Sequence, residues 1–347
     1  MHEKIKERIG HLVALGTQLR GNEEVEAVIA RTAGINPWFT KEFTHTAINA
    51  IIYEMLNEQK LTDWLSHYSI TDADPAQVVG IIMAGNIPLV GFHDFLCGYI
   101  LGHPLRIKLS GKDEVLFPFV FDKLCKIDPE LAGKSRIVDR LEGYDAVIAT
   151  GSNNSHRYFE YYFRDKPKVL RKNRNSIAIL TGKESDGELD ALADDIFMYF
   201  GFGCRNVSKI YIPQEYDVTV LFPHFEKYKW MHDHNKYMNN YDYNRTLLLL
   251  NKTAHLANEI IMIQESDSIA SPVSMLYYQR YENVNLLKGQ SVKNQELIQC
   301  IVTGDELSNE LKMNQVVPFG GSQTPGLSDY ADGVDVLSFL LSLKTFK

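Results

Sequence analysis

Val78-Val79-Gly80-Ile81-Ile82-Met83 is an unbroken apolar run, and after Ala84 it stops in Gly85-Asn86-Ile87-Pro88. The same form recurs at LRIKLS (105–110), SRIVDRL (135–141), DAVIATGS (145–152), SIAILTG (176–182) and SKIYIP (208–213), with helical segments between. Continuous apolar strands alternating with helices predict an α/β protein with a buried parallel sheet made of βαβ units. Each strand between 78 and 152 ends in small or polar residues, and open α/β sheets bind ligands at those carboxyl ends.

Upstream, residues 1–70 read as helices. Ile5, Ile9, Leu12 and Val13 form one apolar stripe, and Ala47, Ile48, Ile51, Ile52 and Met55 another. Asn36-Pro37-Trp38-Phe39-Thr40 interrupts them, with Thr40 as the expected N-cap of the following helix. Downstream, Leu189, Leu192, Ile196, Phe197 and Phe200 predict a helix over 185–200 that runs into Gly201-Phe202-Gly203-Cys204. Residues 222–245, rich in Tyr, His and Asn, give no assignment. At 347 residues the chain is long enough for two packed domains. The boundary is expected at 171–176, giving 1–173, 174–328 and a C-terminal segment 329–347 that returns to the first domain or forms an oligomer contact.

Composition narrows the function. Charged residues are 23% and the net charge is −8. The densest basic stretch, KVLRKNR at 168–174, is too short for a nucleic-acid face. No apolar run approaches the ~20 residues of a membrane helix. The N-terminus alternates charged and apolar residues, unlike a signal peptide, so the expectation is a cytoplasmic chain. Cys97, Cys125, Cys204 and Cys300 show no metal-ligand spacing, and a reducing cytosol keeps them as thiols. His232-Asp233-His234 offers two ligands with no third, so no metal is expected. Cys97, Cys125 and Cys300 lie in apolar-periodic stretches and read as core, and His93 and His103 as packing or capping residues.

Cys204 stands apart. It follows two glycines between a helix and a strand, on a loop where the backbone can turn sharply and a ligand can come close. Arg205 and Lys209 would favour its thiolate. Locally, a structural cysteine in a tight loop and a nucleophile are equally compatible with these residues.

The ordered pieces around it resemble the aldehyde dehydrogenase superfamily, and within it the acyl-CoA reductases and the fatty-acid reductase of bacterial luminescence (the LuxC family). The resemblance runs from Asn36 to about Gly333. Gly85-Asn86-Ile87-Pro88 is similar to the superfamily's Asn-aromatic-Pro turn, which implies that the Asn86 amide donates to an oxyanion. Lys108-Leu109-Ser110-Gly111 is similar to the Lys-Pro-Ser/Ala-Glu segment, which implies that Lys108 and Ser110 bind the cofactor. The acidic position there is Gly111, beside Lys112, which implies NADPH, with NADH also admissible. Thr150-Gly151-Ser152-Asn153 resembles the Thr-Gly-Ser element, which places Gly151 and Ser152 at the cofactor pyrophosphate. Pro318-Phe319-Gly320-Gly321 with Pro325-Gly326-Leu327 resembles the Pro-Phe-Gly-Gly…Ser-Gly segment. Asn36-Pro37-Trp38-Phe39-Thr40 is similar to a segment of the luminescence branch.

The fold implied is aldehyde dehydrogenase-like, a Rossmann-like cofactor domain plus an α/β catalytic domain. Two departures matter. Arg171 stands where hydrolytic members carry the glutamate that activates water, and guanidinium is no base. Aligned on Ser271-Pro272-Val273, the position of the glutamate that holds the nicotinamide ribose is Ser268, with Asp267 before it and Glu265 three residues before; which side chain replaces it, if any does, stays open. The resemblance thus implies reduction of an acyl-CoA or acyl-carrier thioester to an aldehyde through acyl-Cys204. It also implies an acyl-activating synthetase as a partner and leaves room for a homo-oligomer. The alternatives are an acyl-phosphate reductase and a catalytically weak paralogue that binds an acyl carrier.

Overall fold

The computed structural model describes residues 2–70, 75–284, 287, 296–311 and 315–343. Residues 71–74 and residues 344–347 of the C-terminal segment lie outside them. The chain divides into two compact units, one of residues 1–173 and 325–347 and one of residues 174–324. The chain re-enters the first unit at Pro325, four residues before the expected 329, because Leu327 is buried in that unit's core.

The first unit opens with helices α1 (Glu3–Leu19), α2 (Glu23–Ile35), α3 (Lys41–Ala50) and α4 (Glu58–Ser66). Asn22, Thr40 and Asn57 cap the last three, each side chain accepting from a backbone N–H in the first turn. Ile5, Ile9, Leu12, Ile48, Ile51 and Ile52 face the core. Strands β1 (Val79–Ile82), β2 (Leu105–Lys108), β3 (Arg136–Ile137), β4 (Ala146–Thr150) and β5 (Lys168–Arg171) form a parallel sheet in the order β3-β2-β1-β4-β5. The order reverses between β1 and β4, so the carboxyl ends of those two strands flank the switch point of a doubly wound sheet. KVLR at 168–171, read from sequence as a basic stretch, is β5; its alternation of intermediate and buried positions marks a strand more clearly than its charge marks a linker. After the re-entry, Tyr330 accepts from Trp64 Nε1 at 2.8 Å and bonds the Tyr68 hydroxyl, and Leu337 and Leu340 are fully buried.

The second unit carries β6 (Asn175–Ile179), β7 (Val207–Pro213), β8 (Leu256–Ala257), β9 (Met262–Glu265), β10 (Met275–Tyr281), β11 (Ile298–Val302) and β12 (Val316–Val317). They are ordered β12-β11-β6-β7-β10-β9-β8, with only the β8–β9 pair antiparallel. The unassigned stretch 222–245 holds most of a 3₁₀ segment, Val218–Asp233, and the start of a helix, Asn235–Leu250. His234 caps that helix through Nδ1, so the His-Asp-His sequence serves a helix start. The helix expected over 185–200 spans Asp186–Phe197 only, with a capping box formed by Ser185 and Glu188. It ends early because Tyr199, Phe200 and Gly201 turn left-handed, at φ of 53°, 57° and 76°.

Ile148 is fully buried on β4, between β1 and β5. Ile148→Ala is expected to destabilise the first unit by about 2–5 kcal/mol, read as a lower urea midpoint with an unchanged m-value.

Candidate functional site

Each unit has one polar corner that gathers the residues singled out in the sequence. In the first unit these residues collect at the strand ends. Gly85 lies so near β2 that a Cβ there would sit 2.7 Å from the Ser110 side chain, so only glycine permits the approach. Asn86, half-buried, follows it. The turn closes at Leu89, with φ +56°, whose N–H donates to Asp113. Burial raises the pKa of that Asp113 carboxyl, which also accepts from Phe117 N–H. The Asn36 amide donates to the Lys112 carbonyl at 3.1 Å, so the Asn-Pro-Trp segment rests on the same loop. The Lys108 carbonyl accepts from Met83 N–H at 3.0 Å and extends the β1–β2 pairing to the loop.

At β4, Gly151 N–H donates to the Arg171 carbonyl, and a Cβ at Gly151 would meet the Phe159 ring at 2.8 Å. That close packing sets the start of helix α5 (Asn153–Tyr162), capped by the Ser152 hydroxyl, at the strand end. A helix N-terminus at a strand end suits an anionic group such as a pyrophosphate. Glu114 alters the expectation drawn from Gly111. Its carboxylate lies 3.6 Å from where a Gly111 Cβ would be, so a carboxylate does stand beside that position.

Arg171 ends β5 and is buried. Its Nη1 and Nη2 form a fork on the Asp94 carboxylate at 2.6 and 2.9 Å, and Asp94 is equally buried. Two parallel charge-assisted hydrogen bonds fix the guanidinium plane. Nearby, Cys97 is fully buried, and burial pushes its thiol pKa well up. Burial also pushes the Cys125 thiol up to about 11. His93 Nε2 bonds the Leu327 carbonyl and His103 Nδ1 the Gln77 carbonyl.

In the second unit Cys204 is half-buried, and hydrogen bonds hold it and both its neighbours. Before it, Gly203 N–H donates to Asn206 Oδ1 at 2.8 Å. The Asn206 amide donates to the carbonyls of Asp195 and Met198, at 3.1 and 2.8 Å, at the end of helix α6 (Asp186–Phe197). At Cys204 itself, the Ser176 hydroxyl donates to its carbonyl at 3.1 Å and accepts from Cys300 N–H. After it, Arg205 Nε donates to the Ser322 carbonyl at 2.6 Å. Gly320 and Ser322 N–H in turn donate to the buried Asp195 carboxylate. Lys209 is directed elsewhere than expected: its ammonium, fully buried on β7, donates to the Asp267 carbonyl and to Gln279. Burial lowers its pKa to about 8. It therefore orders the 266–268 segment, where Asp267 and Ser268 are exposed. Among the described residues no group of three or more His, Cys, Asp or Glu is placed to hold a metal, and no helix is long and apolar enough to cross a membrane.

No family model and no curated protein matches the chain. Solved structures do. The aldehyde dehydrogenase KauB from Pseudomonas aeruginosa matches with TM-score 0.67 at 13% identity, over 90% of this chain and 76% of that one. An NAD+ complex of an aldehyde dehydrogenase from Bacillus cereus matches with TM-score 0.66 at 13% identity, over 92% and 76%. The P. syringae indole-3-acetaldehyde dehydrogenase AldA, solved with NAD+ and IAA, matches with TM-score 0.65 at 14% identity, over 91% and 76%.

The chain has the aldehyde dehydrogenase fold. Within that fold, sequence reasoning missed Asp94, Asp113, Asp195 and Asn206. One signal was present: Asp195 lies three residues after Leu192 and beside Ile196, an acid on the apolar face of its helix.

Two stability effects follow from these buried charges. Asp94→Ala leaves the Arg171 cation buried without its carboxylate and is expected to cost about 3–5 kcal/mol; the double variant Asp94→Leu/Arg171→Met should cost less in the same urea titration. Asp195 gives a pH effect of opposite sign to the usual carboxylate. Burial raises its pKa from 3.8 to about 6, so between those values the folded chain keeps a proton that the unfolded chain has released. Stability held below pH 4 is therefore lost as the pH rises towards 6, by roughly 3 kcal/mol at about 1.4 kcal/mol per pH unit. Urea midpoints across that range should show the fall in the native chain and not in Asp195→Asn.

Proposed function

We propose that the protein reduces an acyl thioester to an aldehyde through a covalent acyl group on Cys204, with NADPH or NADH as the reductant. The observation that carries this reading is the Asp94–Arg171 fork. At the position where the resemblance would put a water-activating glutamate, a guanidinium is held by two hydrogen bonds and cannot accept a proton. An acyl-enzyme without a base to activate water survives long enough to be reduced.

In this reading the Cys204 thiolate attacks the carbonyl carbon of the thioester. The C–S bond to the carrier breaks, and the carrier thiol leaves with a proton. The resemblance implies that the Asn86 amide and the Cys204 N–H donate to the oxyanion; a donor in that role typically contributes ~10²–10³ in rate. A bound nicotinamide would supply a hydride to the acyl carbon. The Cys204–carbon bond then breaks, releasing aldehyde and returning the thiolate. Lys108, Ser110, Gly151 and Ser152 are proposed to hold the cofactor. NADPH was expected from Gly111, but Glu114 weighs towards NADH, since a carboxylate accepts from a ribose 2′-hydroxyl and repels a 2′-phosphate. The thioester is acyl-CoA or an acyl carrier, which makes a synthetase that activates the acid a fitting partner.

Radiolabelled acyl-CoA, added without cofactor, should label the native protein and leave Cys204→Ser unlabelled after denaturation; added NAD(P)H should chase the label into aldehyde. Equal labelling of Cys204→Ser would refute the nucleophile. Oxidation of NAD(P)H with an acyl phosphate but not with acyl-CoA would move the reaction to the acyl-phosphate class.

A further inference from the structure

We infer that Asp195 is a positioning residue for Cys204, acting through the backbone of 320–322 and the side chain of Arg205. The inference rests on Cys204 being the nucleophile. Asp195 is fully buried, and its carboxylate accepts from Gly320 N–H at 2.7 Å, from Ser322 N–H at 3.0 Å and from the Ser322 hydroxyl. The carbonyl of that same Ser322 accepts from Arg205 Nε at 2.6 Å. Ser322 thus joins a buried anion to a buried cation, its N–H towards one and its carbonyl towards the other. Arg205 directly follows Cys204, and its Nη2 is buried with no hydrogen-bond partner among the described residues. Arg205 lies next to the cysteine in sequence, and a cation near a thiol favours the thiolate, which is the reacting form.

A carboxylate suits three converging donors, because it is an acceptor at both oxygens. An asparagine would turn an N–H donor towards one of them. The ionised group is nevertheless costly here: its hydrogen-bond donors among the described residues are uncharged, Asp194 adds like charge, and burial opposes ionisation. A buried charge that lowers stability at neutral pH and holds the loop of the reactive thiol is placed for the site rather than for the fold. Asn206 fixes the other side, through Gly203 and the end of the helix that carries Asp195. The two residues flank Cys204 with separate anchors.

Iodoacetamide alkylation of Cys204, followed on its peptide by mass spectrometry across pH 6–10, tests this. Alkylation needs neither acyl donor nor cofactor, so it reads the loop even where the thioester reading fails, and acyl labelling tests that reading separately. Asp195→Asn and Arg205→Gln are each expected to move the alkylation midpoint to higher pH by about half a unit, slowing labelling near neutrality roughly threefold. The double variant should move it no further than either one, because both act through Ser322. A midpoint that stays in place or falls in Asp195→Asn overturns the inference, as does a double variant whose shifts add. If Asp195→Asn does not fold, Ser322→Ala, which removes only the hydroxyl donor, carries the same test: a smaller upward shift supports the route and no shift overturns it.

Discussion

A helix that ends in a buried loop must find partners for its last carbonyls, and the Asn206 amide supplies them. One NH₂ group serves the carbonyls of Asp195 and Met198, while its oxygen takes the N–H of Gly203. The helix can therefore stop abruptly. Tyr199 and Phe200 then adopt left-handed backbone, which costs on the order of 1–3 kcal/mol for each such residue. Burial offsets that strain: the Phe200 ring packs on Trp230, His234 and Tyr237. The left-handed turn takes the chain out of the helix before Cys204, which precedes β7 (Val207–Pro213) and is half-buried.

The first unit meets its own constraint with another pairing. A buried arginine needs a carboxylate close by. Asp94 provides one from the helix Phe92–Ile100, which begins just after the Gly85–Leu89 turn. The fork thus ties the end of β5 to the segment that carries Asn86. A glutamate at 171 would meet Asp94 as a like charge, so a water-activating base there would demand changes on a second element as well. The loss of hydrolysis proposed for this protein is in that sense built into the core and not a single surface substitution.

The fold was legible where period and composition act locally. Apolar runs that end in Gly, Asn or Ser marked β1, β2, β4 and β6, and Thr40 marked a helix start. The short strands β5 and β12 were hidden by charge or brevity, and 222–245 by aromatic residues that pack in either state. Of the candidate site, the residues on turns were legible, because turns restrict residue type. Their anchors were not. Asp94, Asp113, Asp195 and Asn206 act across 8 to 127 positions of sequence separation or through backbone atoms, and no local pattern records that. Lys209 shows the converse error. Five residues from Cys204 on an extended strand, it looked close enough to act on the thiol, yet its ammonium bonds the Asp267 carbonyl on a neighbouring segment. Nearness along a strand says little about where a long side chain ends, because the hydrogen-bond partners of a buried ammonium decide it. Arg205 keeps its place for the same reason: Ser322 holds it, and Ser322 is itself held by the one acid on the apolar face of its helix.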